Sequence, residues 1–193
     1  MFELKLKRWS FVALMALLVL ALLAAIVWAA TSLTSTVSVK ATSRMVNSLD
    51  LSSAVDLATL DASLNFTSGT GNNQTSVIYH DTRTLADGAT ENLDLAGVLT
   101  NPFGSTVTFT KVKVIVFKNM SATQTFSLGG AASAQFVNWV GDATDIINVP
   151  PGGCFVISAP LAGFAVTATS ADLLKVANSA GAEADYKIMI LGN

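Results

Sequence analysis

Two textures divide the chain. From Phe11 to Ala30 it reads FVALMALLVLALLAAIVWAA, twenty residues with no polar side chain. At about 1.5 Å per residue such a helix is roughly 30 Å long, the thickness of a bilayer's hydrocarbon core. Lys5, Lys7 and Arg8 precede it, and no charge follows until Lys40. By the positive-inside rule this keeps the N-terminus cytoplasmic and exports the rest. Residues 1–30 are therefore expected to form a transmembrane anchor. The rival is a cleaved signal helix, with VWA at 27–29 as its cleavage site and an apolar core longer than usual.

Residues 31–43, TSLTSTVSVKATS, are rich in Thr and Ser and read as a short stalk or a first edge strand. From residue 44 to 193 the pattern is one of short alternating segments broken by turn residues, which predicts β-strands. The clearest is TVTFTKVKVIVFKN, 106–119, where Val112, Val114 and Val116 are expected on one face and Lys111 and Lys113 on the other. Others are RMVNSLDL, ASLNFTS, TSVIYHDTRTL, ATENLDLAG, QTFSLGG, CFVISAP, GFAVTATS and ADYKIMILG, the last with Tyr186, Ile188 and Ile190 on one face. GTGNNQ, ADGA, NPFGS, VPPGG and NSAGAE separate them. SADLLKVAN, 170–178, fits a helical turn or a strand. The expected fold is all-β: an antiparallel β-sandwich over 44–193, jelly-roll-like because that closure limits exposed edges, preceded by the single N-terminal hydrophobic helix.

The only histidine stands in HDTRTL, beside Asp81 and near Arg83. Strand parity puts Val77, Tyr79, Asp81 and Arg83 on one face and His80 on the other. Asp81 and Arg83 can pair, but no acid can orient the imidazole as a catalytic triad requires. No nucleophile elbow, phosphate-binding loop or zinc spacing occurs, so no catalytic residue, cofactor or metal is expected. Asp142 and Asp145 in GDATD read as turn residues rather than calcium ligands. Phe136 and Trp139, ahead of that turn, are the candidate binding surface, able to stack on a sugar or enter a neighbouring subunit; the plainer reading has them plug one end of the sandwich. Cys154 is the only cysteine and makes no intrachain disulfide. Of 11 Lys/Arg and 13 Asp/Glu, only Lys5, Lys7, Arg8 and Glu3 lie in the first thirty residues, which leaves the body near −4. That gives no electrostatic footprint for nucleic acid.

NSLDLS, the run from SGTGNNQ to IVFKN, GDATDIINVPPGGCFVISAP and the run from GFAVTATS to KIMILG together span residues 47–192. These phrases resemble a family of small virion structural proteins of tailed bacteriophages and prophages. The resemblance implies an all-β protein of the particle's outer parts (head decoration, fibre or spike) with no enzymatic activity. It implies partners that are other virion proteins and further copies of the chain, as a homo-oligomer and specifically a trimer, and a place on the virion surface. The N-terminal segment is an addition to that pattern. It supports the alternative: an exported β-sandwich binding module for a glycan or receptor, held at the bacterial inner membrane through residues 11–30.

Overall fold

The computed structural model describes residues 32–193. The anchor or signal helix expected over residues 1–30 lies outside the described residues. Among the described residues no helix is long and apolar enough to cross a membrane.

Twelve strands follow in order: β1 (Ser35–Ser48), β2 (Ser53–Ser68), β3 (Gln74–Thr75), β4 (Val77–Leu85), β5 (Thr90–Asp94), β6 (Lys111–Asn119), β7 (Phe126–Gly129), β8 (Ile146–Val149), β9 (Cys154–Ser158), β10 (Phe164–Ala165), β11 (Leu173–Asn178) and β12 (Ala184–Gly192). One sheet runs β4-β12-β6, with β9 and β10 following one another along the far edge of β6. A second runs β5-β11-β7-β8, and both are antiparallel throughout. Both feed one core. Tyr79, Ile115, Phe117, Tyr186, Ile188 and Ile190 come from the first sheet, and Leu93, Phe126, Leu128, Leu174 and Val176 from the second. At its centre Phe117 stacks on Tyr186 at 4.9 Å, and the edge of Phe126 meets both rings. Such contacts add about 0.5–1.5 kcal/mol each beyond the area buried.

Three segments bear on the sequence expectation: two take one of the alternatives it left open and one departs from it. Within the ambiguous stretch 170–178, Leu173–Asn178 is strand β11, because β5 and β7 pair with it on both sides and supply the hydrogen bonds a helix would make internally. The Ser/Thr-rich stretch before residue 44 takes its first-edge-strand form from Ser35 on. It is most of β1, which pairs without interruption from Ser35↔Phe66 to Ser48↔Ser53. The third is β6. Its register against β12 slips between Leu191 and Gly192, so that Leu191 faces Val114 but Gly192 faces Val112. The extra residue is Lys113. Alternation therefore switches sides: Val112, Ile115 and Phe117 enter the main core, and Val114 and Val116 line the opposite face. The slip brings Gly192 so close that a Cβ there would stand 2.1 Å from the Lys111 carbonyl oxygen.

Lys113, expected on the solvent side of its strand, is 1% exposed. Its Nζ donates to the carbonyls of Gly71 (3.2 Å), Pro160 (3.2 Å) and Leu161 (2.6 Å). All three ammonium protons thus have partners, which is the condition for burying the charge. Burial, and Lys111 nearby, hold its pKa below the ordinary lysine value.

Candidate functional site

HDTRTL falls in β4, and its parity is as expected. Tyr79, Asp81 and Arg83 share the inward side at the rim of the core, and His80 is exposed on the other. Arg83 Nη1 donates to Asp81 at 3.1 Å, and Arg83 Nε to Glu91 at 2.8 Å with Nη2 on the same oxygen. Tyr186 donates to the other Glu91 oxygen at 2.7 Å. Glu91 belongs to β5 in the second sheet, so these bonds clamp one sheet to the other. A cleft of about 390 Å³ opens beside them, lined by Tyr79, Arg83, Asn92, Leu99 and Asn101 among others. Of its polar groups, Tyr79, Asp81 and Arg83 already serve one another. Burial raises the Tyr186 pKa, and the Glu91 hydrogen bond raises it further; burial also raises that of Tyr79. Both phenols stay neutral and Arg83 stays a fixed cation, so the cluster offers structure rather than proton transfer.

These are the chain's only two tyrosines, which gives a direct test. An acid whose folded pKa is raised keeps its proton while the unfolded chain releases one near the ordinary value of 10.0. The contribution to stability is therefore present below pH 10 and lost as pH rises above it. Absorbance at 295 nm is expected to show no tyrosinate near pH 10, then one abrupt step at alkaline unfolding. Smooth ionisation near pH 10 with unchanged circular dichroism would contradict the clamp.

The other candidates resolve into structure. Phe136 is fully buried and Trp139 is 7% exposed. The Trp139 indole donates to the Phe136 carbonyl at 2.8 Å and its ring packs edge-on against Phe155. In this fold the pair plugs the core and presents no ring to a ligand, because neighbours distant in sequence close over it. Asp145 caps the amides of Gly141 and Asp142, and Asp142 that of Thr144, which is turn chemistry. Among the described residues no three His, Cys, Asp or Glu side chains gather to hold a metal. Of the three Asn-Xaa-Ser/Thr sequences, Asn119 is buried, while Asn65 and Asn73 are exposed.

Among the described residues, two surfaces remain bare where apolar groups ought to be covered. The first is the β1–β2 ribbon, roughly 45 Å long at about 3.3 Å per residue. Cross-strand partners share a face. One face carries Val37, Val39, Ala41, Ser43 and Met45 opposite Leu64, Ala62, Leu60, Ala58 and Asp56. The other carries Thr36–Asn65, Ser38–Ser63, Lys40–Asp61 and Thr42–Thr59, and turns apolar only toward the tip at Val46, Val55 and Leu57. The root of the apolar face, with Val37, Leu64 and Phe66, is seated on Ile78, Val114, Val116 and Leu191 of the first sheet. Beyond the root the same face runs on uncovered, with Leu60 69% and Met45 70% exposed. Sequence reasoning missed this arm. The visible signal was the alternation in STVSVKA and its counterpart in ASLNF.

The second bare surface adjoins the seat of that root. The outer face of the first sheet is built in rows across the strands. Ser158, Val114, Leu191 and Ile78 form the row that takes the root; Val156, Val116, Met189 and His80 form the next; Cys154, Lys118, Lys187 and Thr82 the third. Met189 and Val156 are more than a third exposed, and a shallow groove of about 560 Å³ runs along Val116, Met189, Lys118 and Lys187. No protein-family profile and no curated protein matches the sequence.

Proposed function

We propose that this chain is a non-enzymatic, phage-type virion structural protein: a jelly-roll β-sandwich exposed on the particle that assembles with further copies of itself. The observation that carries the reading is the ribbon, whose apolar face leaves the body with no cover among the described residues. A lone two-stranded hairpin is marginal in water, and an alternating antiparallel pair normally buries its apolar side. The strand order supports the fold assignment. Taking β4, β5, β6, β7, β8, β9, β11 and β12 as eight strands, the sheets read first-eighth-third-sixth and second-seventh-fourth-fifth, the order of a jelly roll. That architecture recurs in viral capsid proteins, lectins and cupins, so it does not decide function by itself. The sequence resemblance to tailed-phage virion proteins favours the first of these and supplies the trimer as the expected copy number. The alternative, an anchored exported binding module at the bacterial inner membrane, keeps residues 11–30 as support. Its aromatic pair, Phe136 and Trp139, is packed into the core, which weakens the pair's support for it.

Size-exclusion chromatography with light scattering on the full chain in mild detergent tests the reading. A mass of several chains that persists over a wide dilution series is expected. A monomer at the highest concentration would overturn self-assembly in favour of the binding module.

A further inference from the structure

We propose that the bare ribbon of one copy lies, apolar face down, along the outer sheet face of a second copy, over the row Val156–Val116–Met189–His80. The inference rests on the self-assembly reading and names the surfaces that carry it.

Three observations converge on this seat. The first is continuity: the root of the same ribbon face already packs on the adjoining row of the same sheet within one chain. The second copy's arm thus extends a contact whose chemistry the fold already uses. The second is charge. Asp56 is the single charged residue on the apolar ribbon face, and Lys118 and Lys187 form the row bordering the groove. Lys118 is tied to the Gly152 carbonyl, but Lys187 makes no ion pair among the described residues. Two ribbons laid face to face would instead meet with Asp56 on both sides and no cation between. The third is fit. Ala41, Ser43, Ala58 and Ala62 keep the middle of the ribbon low around the one projecting side chain, Leu60, which suits close approach to a grooved sheet.

Area sets the consequence. The segment Val39–Ser48 with Ser53–Ala62 is roughly 30 Å long and about 10 Å wide at ordinary strand spacings, so its face offers roughly 300 Å². Doubled over two partners, one such contact is about half the lower bound for a stable interface. Each copy both lends an arm and receives one, so two copies can exchange arms about a two-fold axis, and any other arrangement runs head-to-tail and closes larger rings or extends chains. A closed ring gives every copy two contacts and is stable where an open pair is transient.

Cys154, the only native thiol, stands in the third row of the seat and serves as a reporter. Leu60→Cys places a second thiol on the apolar ribbon face; Thr42→Cys places one on the polar face as the control. The full chain in mild detergent is treated with a short bis-maleimide and run on a denaturing gel. The expected result is a ladder beyond the dimer for Leu60→Cys, at least severalfold weaker for Thr42→Cys and lost when Cys154→Ser is added. Asp56→Lys is expected to weaken the ladder, and Lys187→Asp in the same chain to restore it. A dimer band that survives Cys154→Ser would show ribbons facing each other and overturn the seat. So would equal ladders from both faces, or no ladder. Light scattering on the same samples separates the two readings: oligomers without a ladder sink the seat alone, and monomers sink self-assembly with it.

Discussion

Lys113→Met is expected to cost about 3 kcal/mol and to lower Tm by roughly 6–12 °C for a chain of this size. Methionine keeps most of the buried stem but none of the three donors, so the carbonyls of Gly71, Pro160 and Leu161 lose their partner together. Two loops, the one before β3 and the one after β9, are then released from β6. Water can reach part of each carbonyl, which holds the loss below the sum of three buried charged hydrogen bonds. The neighbouring Lys111→Met, at an exposed position on the same strand, is expected to stay within about 0.5 kcal/mol of the parent. Thermal melts of both variants check the pair. Equal, small effects would mean that the loops do not depend on the ammonium.

Asn119→Asp is expected to be worse, at about 4 kcal/mol or more near neutral pH. The Asn119 amide is fully buried, and Nδ2 donates to the carbonyls of Gln124 (2.7 Å), Val149 (3.0 Å) and Pro150 (2.9 Å). Its Oδ1 accepts from the Ser121 amide at 2.9 Å. An ionised carboxylate would put negative charge against three acceptors with a single donor to offset it. Its folded pKa would rise above the unfolded value of about 3.9, so the charge-dependent part of the deficit shrinks as pH falls from the raised folded pKa toward about 3.9 and is gone below that. Asn119→Ala, which loses the donors without adding charge, is expected near 3 kcal/mol with no such recovery on acidification. Urea titrations at pH 7 and pH 4 distinguish the two.

Both residues show where reading the sequence stops. Each is polar and sits in the strand with the clearest alternation, and Lys113 reads as solvent-facing. Lys113 turns inward because β12 closes against β6 at Gly192, a residue distant in sequence whose missing Cβ allows the slip. Nothing inside KVKVIVF announces it. Parity was legible where the register is unbroken: Tyr79, Asp81 and Arg83 on one side of β4, and Tyr186, Ile188 and Ile190 on one side of β12. The all-β class and antiparallel pairing were legible for the same reason. Phe136 and Trp139 were harder, since a small polar loop flanks them and only the β9 strand, through Phe155, shows that Trp139 faces inward. The stretch 53–61 was harder still. Leu57 and Leu60 fall on opposite faces of β2, so its hydrophobic spacing imitates a helix until β1 is laid beside it.

The ribbon also has a mechanical character. The chain enters it at Ser35 and leaves it beside Phe66, so both connections stand at the same end of the hairpin. A pull on the segment upstream of Ser35, with the body held, therefore acts as a peeling force that loads one cross-strand pair at a time. Peeling is the weak direction for such a ribbon, since no two pairs share the load. What the force meets first is the root, where Val37, Leu64 and Phe66 are held down on the sheet. Those three side chains act as a latch: until they lift, no strain reaches the long outer part of the arm, and once they do, the rest unzips with little further resistance.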